Sequence, residues 1–195
     1  MWIYDRAREI LLYPKTAWEK IKEENDIRKL IIYPLVLNLI PSLAIYLGYV
    51  YIGLQEGTRY YRMLPLNAIY SVLVAYCLTL IGIVFLIFLI QVIANYFQSE
   101  CDLFKSAKLA IFASTAPLLA NIFYLIPGIR ILNILGLYGA YLLHLGVPKI
   151  TRTPADKEQT FIFWVIMASI TITYLINNLI GNYISMTVIS EVWTY

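Results

Sequence analysis

The side chains that stand inside the apolar stretches of this 195-residue chain and could do chemistry there are one histidine, a cysteine and a set of uncharged amides and hydroxyls. His144, in Leu142-Leu143-His144-Leu145-Gly146, is the single group of the kind that carries protons near neutral pH. Its place at the end of an apolar stretch suits a snorkelling or bundle-packed imidazole better than a proton carrier. Cys77 lies inside an apolar stretch and Cys101 just after it, with no Cys-x-x-Cys pair and no Cys/His cluster. A zinc site or disulfide framework is therefore not expected. Gly-x-Ser-x-Gly, His-Glu-x-x-His and a phosphate-cradling glycine loop are all missing. The residues imply no enzyme, no cofactor and no metal.

The amides and hydroxyls recur at helical spacing. Thr171, Tyr174, Asn178, Asn182 and Ser185 share one face of a helix, and Gln91, Asn95 and Gln98 share another. Ser114, Thr115, Pro117 and Asn121 line a kink, while Asn133, Gly136 and Gly139 present a close-packing edge. Asn38 stands between Pro34 and Pro41. Such stripes are expected to face protein or water rather than lipid. They read either as interhelical hydrogen bonds worth about 0.6 to 2 kcal/mol each or as a path for lipid or a small neutral solute. The candidate intramembrane polar or packing site is thus Asn38, Gln91, Asn95, Ser114, Pro117, Asn121, Asn133, Gly136, Gly139, His144, Asn178 and Asn182.

The elements that must position these residues follow from charge spacing. Charged residues make up 14% of the chain, against roughly 25% in soluble domains. Five uncharged intervals separate them: 30 to 55, 63 to 99, 109 to 129, 131 to 148 and 159 to 190. Each can hold a helix of roughly 20 residues, the length that crosses about 30 Å of hydrocarbon. The expected fold is an all-α membrane bundle of five transmembrane helices. Its spans are near 30 to 54, 67 to 96, 109 to 126, 131 to 147 and 161 to 184. The third and fourth form a tight hairpin through Pro127-Gly128-Ile129-Arg130, crossing fully or re-entering part-way. Arg59, Tyr60, Tyr61 and Arg62 suit an interfacial aromatic belt. Residues 1–29 form a charged amphipathic segment, 30–190 the five-helix domain and 191–195 an external tail. Residues 1–29 carry 13 charges and no signal-peptide core, so the first span is expected to anchor the mature protein.

In residues 1–29 Trp2, Ile3, Ile10 and Leu11 share a face before Pro14 breaks the pattern. Thr16-Ala17-Trp18-Glu19 has capping-box spacing for a second helix. This segment either lies on the bilayer surface or packs under the bundle with its aromatics in protein. The three connections on the N-terminal side carry twelve Lys and Arg, those on the opposite side three. The positive-inside rule therefore puts the N-terminus in the cytoplasm and the C-terminus outside.

Three stretches resemble one family: Tyr13-Pro14 through Trp18 to Glu23, Ser114-Thr115-Ala116-Pro117, and Gly136-Leu-Tyr138 through His144, Gly146-Val-Pro148 and Lys157. They look like the Yip family, closest to its bacterial inner-membrane branch. The resemblance implies a five-helix bundle with a cytosolic N-terminus. Eukaryotic members bind prenylated Rab-type GTPases through a long cytosolic N-terminal region; here 29 residues precede the first span, so that role is not carried over. The expectation is a non-enzymatic membrane protein that organises or adapts membrane components. Its partners would be membrane lipids, a second copy or another membrane protein, with no nucleic acid. The alternative is a conduit for lipid or small solute; an ion channel lined by carbonyls and amides is a third reading.

Overall fold

The computed structural model describes residues 2–56, 59–125, 127–154 and 156–192. The side chains of Arg59, Tyr60, Tyr61, Arg130 and Glu191, together with Trp193 and Tyr195, lie outside the described residues. Two short helices, α1 (Trp2–Leu12) and α2 (Pro14–Glu23), precede α3 (Ile27–Leu47), which continues as a π turn over Gly48–Ile52. An antiparallel pair, β1 (Leu54–Glu56) and β2 (Arg59–Tyr61), leads into α4 (Pro65–Tyr96). The third span is α5 (Leu103–Ala113), α6 (Thr115–Ala120) and a 3-10 turn, Asn121–Leu125. The fourth is a 3-10 stretch, Pro127–Leu137, followed by α7 (Tyr138–Ile150), and the fifth is α8 (Glu158–Val192). Five of these segments are long and apolar enough to cross a membrane, and they alternate in direction as an all-α bundle.

The hairpin of the third and fourth spans is long enough to cross, and the part of it wound as 3-10 helix adds to its reach. A 3-10 helix rises about 2.0 Å per residue against 1.5 Å for an α-helix. By those rises 127–150 reaches about 40 Å and 103–125 about 35 Å, both beyond the hydrocarbon thickness. The third span is the centre of the bundle, with 67% of its most apolar window buried, against 22% to 39% for the others. The second span is one unbroken helix, with Gly82 packed against Ile176 of α8. Pro34 and Pro41 lie inside α3 without ending it. Gly53, at φ 100°, takes the left-handed backbone that turns the chain out of the π turn into β1.

Of the two readings of residues 1–29, the structure has the packed one. Ala17, Trp18 and Ile21 of α2 are buried, and the Trp18 ring lies on Gly146 of α7, where a Cβ would come within 2.6 Å of Cζ2. Trp2 meets Tyr33 edge-on at 5.9 Å, and Tyr33 meets Phe112 of α5 at 4.9 Å. The bundle also caps the two short helices. Tyr138 Oη donates to the Leu11 carbonyl in the last turn of α1 (3.0 Å), and Lys108 Nζ to the Lys22 carbonyl in that of α2 (2.9 Å). Lys108 is buried for this purpose; position at a span end is only half its explanation.

The capping box at Thr16 is not formed. Pro14 occupies the first turn of α2, where its missing N–H removes an orphan donor, so it starts the helix rather than breaking one. Thr16 Oγ1 donates to the Tyr13 carbonyl, and Glu19 pairs with Lys149 of α7. Ion pairs tie the segment together: Arg6 to Glu9 (3.2 Å) and Glu24 (3.1 Å), Lys20 to Glu9 (2.6 Å), Lys29 to Glu24 (3.3 Å).

Trp18→Ala is expected to lower stability by about 3 to 5 kcal/mol. Gly146→Leu should expel the indole, so both variants become cleavable by trypsin at Lys15 to Lys22 under conditions where the parent is protected. The hydrogen bond from Lys20 holds the Glu9 carboxyl below its usual range, and that from Lys149 does the same for Glu19. A lowered folded pKa contributes stability present above the unfolded value of about 4.3 and lost as pH falls through the folded one. The melting temperature should therefore fall below about pH 4.3, in a salt-dependent way because both pairs are partly solvated.

Candidate functional site

A cavity of about 430 Å³ lies between α4, the α5–α6 kink, the fourth span and α8. That is the size of a small-molecule site. Its wall on the hairpin side is built by close approach. Gly139 abuts the Ala113 carbonyl, the one Pro117 cannot bond, with a Cβ there 2.9 Å from the oxygen. Gly136 rests on Pro117, where a Cβ would be 3.2 Å from its Cα. Ile83, Leu86, Leu118, Leu143 and Ile172 supply apolar lining.

The polar lining divides into two kinds. The hydroxyls of Thr79, Ser114, Ser169 and Thr173 each donate to a carbonyl of their own helix, at 2.6 to 2.8 Å. They offer little further to a ligand. The carboxamides of Asn121, Asn133 and Asn177 are half-buried and have no side-chain hydrogen bond among the described residues. Each is the lining residue nearest the far end of the bundle, away from α1 and α2, on its own element. Among the described residues no Asp, Glu, Lys, Arg or His lines the cavity.

Six of the twelve sequence candidates meet here: Ser114, Pro117, Asn121, Asn133, Gly136 and Gly139. The other six do not. Asn38 is buried between α3 and α4, donating to the Tyr76 carbonyl (3.3 Å), while Tyr76 Oη donates back to the Leu35 carbonyl (3.0 Å). Gln91 accepts from Ser106 Oγ (3.0 Å) at the N-terminal end of the bundle and donates to Asn95 (3.4 Å), which is exposed. The same cluster holds Cys101, whose Sγ lies 3.3 Å from Ser106 Oγ; burial pushes its thiol pKa up, so it is a poor nucleophile. His144 is on the outer surface of α7 rather than packed in the bundle.

Asn178 and Asn182 are exposed on the outward face of α8, so the stripe Thr171-Tyr174-Asn178-Asn182-Ser185 does not turn toward the bundle as expected. The cavity instead takes Ser169, Thr173 and Asn177, with Tyr174 at the border of both faces. Spacing identifies a face but not its direction. Asn177 is about 100° from Asn178 around the helix, and only the packing of Ile172 and Ile176 against α4 turns it inward. Among the described residues no group of His, Cys, Asp and Glu could hold a metal ion.

The five crossing segments, the hairpin and the terminal pair of short helices can be set against known proteins. The family model of the Yip1 domain matches residues 8–188. The chain belongs to the Yip1 family. No curated protein and no solved structure matches it. The Yip1 domain therefore takes in the cavity, the second half of α1 and all of α2, and the interior site and the docked segment are parts of one unit.

Removing the unbonded amides should cost no folding energy, since a buried polar group without a partner is itself destabilising. Asn121→Leu, Asn133→Leu and Asn177→Leu are expected to melt at or above the parent temperature in detergent. Asn38→Leu should lose about 0.6 to 1.7 kcal/mol with its interhelical bond.

Proposed function

We propose that this Yip1-family protein is a non-enzymatic membrane protein that organises membrane components by holding a membrane-derived molecule in the intramembrane cavity. The observation that supports this reading is the cavity itself: largely apolar and, among the described residues, without acidic or basic lining and edged by three carboxamides without protein partners. A catalytic reading has no matching support, as among the described residues no Asp, Glu, Lys, His or Cys lines the site to activate the serine and threonine hydroxyls, which bond their own helices.

The conduit reading needs a passage onward from the cavity. One helical turn nearer the N-terminal end, Ile90, Leu109, Val147 and Val165 are fully buried in a common apolar core. They close that side with packed side chains, which favours a holder over a path. The protein's place would be the cytoplasmic membrane with the N-terminus inside, on the strength of the twelve-to-three distribution of basic residues. Lipids are its first partners; Asn178 and Asn182 are what a second copy or another membrane protein would meet on α8.

Native mass spectrometry of the detergent-purified protein tests the reading. The parent should retain a small-molecule adduct, and Ser169→Phe, which fills the cavity, should lose it at unchanged melting temperature. Fluorescent-lipid scrambling and solute flux in liposomes should match empty vesicles. Flux abolished by Ser169→Phe would replace the holder with the conduit.

A further inference from the structure

We propose that the cavity takes a neutral glycerolipid, with its ester and hydroxyl groups at Asn121, Asn133 and Asn177 and its acyl chain directed toward Leu86 and Leu143. This inference rests on the holder reading and names its ligand class. The argument begins with how polarity is distributed. Because Thr79, Ser114, Ser169 and Thr173 are bonded to their own helices, the deep part of the cavity behaves as hydrocarbon. Among the described lining residues hydrogen-bonding capacity is left at the border hydroxyl of Tyr174 and at the three amides, each of which is the farthest lining residue on its element. A site polar at one end and apolar at the other matches an amphiphile in one orientation.

The amides also select the head. A carboxamide both donates and accepts, so the NH2 groups serve an ester carbonyl and the amide oxygens serve a hydroxyl. A phosphate, carboxylate or ammonium would enter a site with no counter-charge among the described residues of its lining, where desolvation is uncompensated. The length fits an acyl segment: Asn177 to Ser169 along α8 is about 12 Å, and Asn133 to Leu143 is about 17 Å at the rises of 3-10 and α-helix.

The route of entry is lateral. α7 packs along α8, but the Pro127–Leu137 stretch packs on α6 and Asn121–Leu125 and makes no extensive contact with α8. The fourth and fifth spans are thus apart in the half of the bundle that holds the amides. Ile131, Ile134 and Leu135 on that stretch are exposed, so the opening faces acyl chains rather than water. A lipid of the leaflet at the far end could slide in tail-first without leaving the membrane.

The test uses the full chain in phosphatidylcholine nanodiscs and three probes with a diazirine in the acyl chain: monoacylglycerol, lysophosphatidylglycerol and fatty acid. Monoacylglycerol should label peptides covering 79–86 and 169–176, and unlabelled monoacylglycerol should compete at least tenfold better than lysophosphatidylglycerol. The Asn121→Leu/Asn133→Leu/Asn177→Leu variant should lose labelling about tenfold, while Asn178→Leu on the outward face keeps it. Competition on the parent protein needs no variant to fold. Equal labelling by the charged probes, unaffected by the triple variant, would overturn the neutral-head assignment and leave a holder of acyl chains. Failure of every probe to label those peptides, or labelling unchanged by Ser169→Phe, would overturn this inference and the holder reading together.

Discussion

A backbone carbonyl without a partner costs several kcal/mol where no water can reach it, and this fold is shaped by the places where such carbonyls are freed. Pro117 cannot bond the Ala113 carbonyl, and the kink there brings Gly136 and Gly139 of the fourth span against the third. Helix ends free four carbonyls each, and Tyr138 and Lys108 reach across the bundle to those of α1 and α2. Short polar side chains do the local work: Ser42 bonds the Asn38 carbonyl and Ser114 that of Ala110.

From this constraint follows the division of the bundle into two halves. Near the N-terminus the third span is enclosed on every side, and α2 adds a further layer through Trp18 and Gly146. The aromatic series Trp2, Tyr33 and Phe112 runs from α1 into the core, and Tyr33 meets Thr115 at 2.9 Å beside the kink. A segment carrying 13 charges can pack here because its acids and bases largely neutralise each other on its own surface. In the other half the fourth and fifth spans separate, and the cavity occupies the space between them. A rigid half therefore supports an open one, as a binding site requires.

Cavity chemistry is set less by which polar residues are present than by which are already engaged. Ser and Thr in a membrane helix can satisfy themselves on the preceding turn, so a hydroxyl lining is weak evidence for a polar ligand. The carboxamides of Asn121, Asn133 and Asn177 do not bond their own helices here and, at a wall without a facing partner among the described residues, are left with two donors and an acceptor oxygen each. The three amides thus carry the recognition that the more numerous hydroxyls do not.

Charge spacing determined the number of spans, because hydrocarbon excludes charge over a length that helix geometry makes countable, and the resemblance of three motif stretches pointed to the family. Pattern also found Ser114, Pro117, Asn121, Asn133, Gly136 and Gly139, since prolines and glycines mark where helices kink and approach. Tertiary structure decided the remainder. A helical stripe has no sign, so Asn178 was as good a candidate as Asn177 until Ile172 and Ile176 packed on α4. Trp18 had the same amphipathic spacing for a lipid surface as for a protein one, and the missing side chain of Gly146, 128 positions later in the chain, is what made room for it. Lys108 read as a topological charge because the carbonyl it caps belongs to a helix 86 residues away. Contacts at such separations are set by packing in three dimensions, and no local pattern carries them.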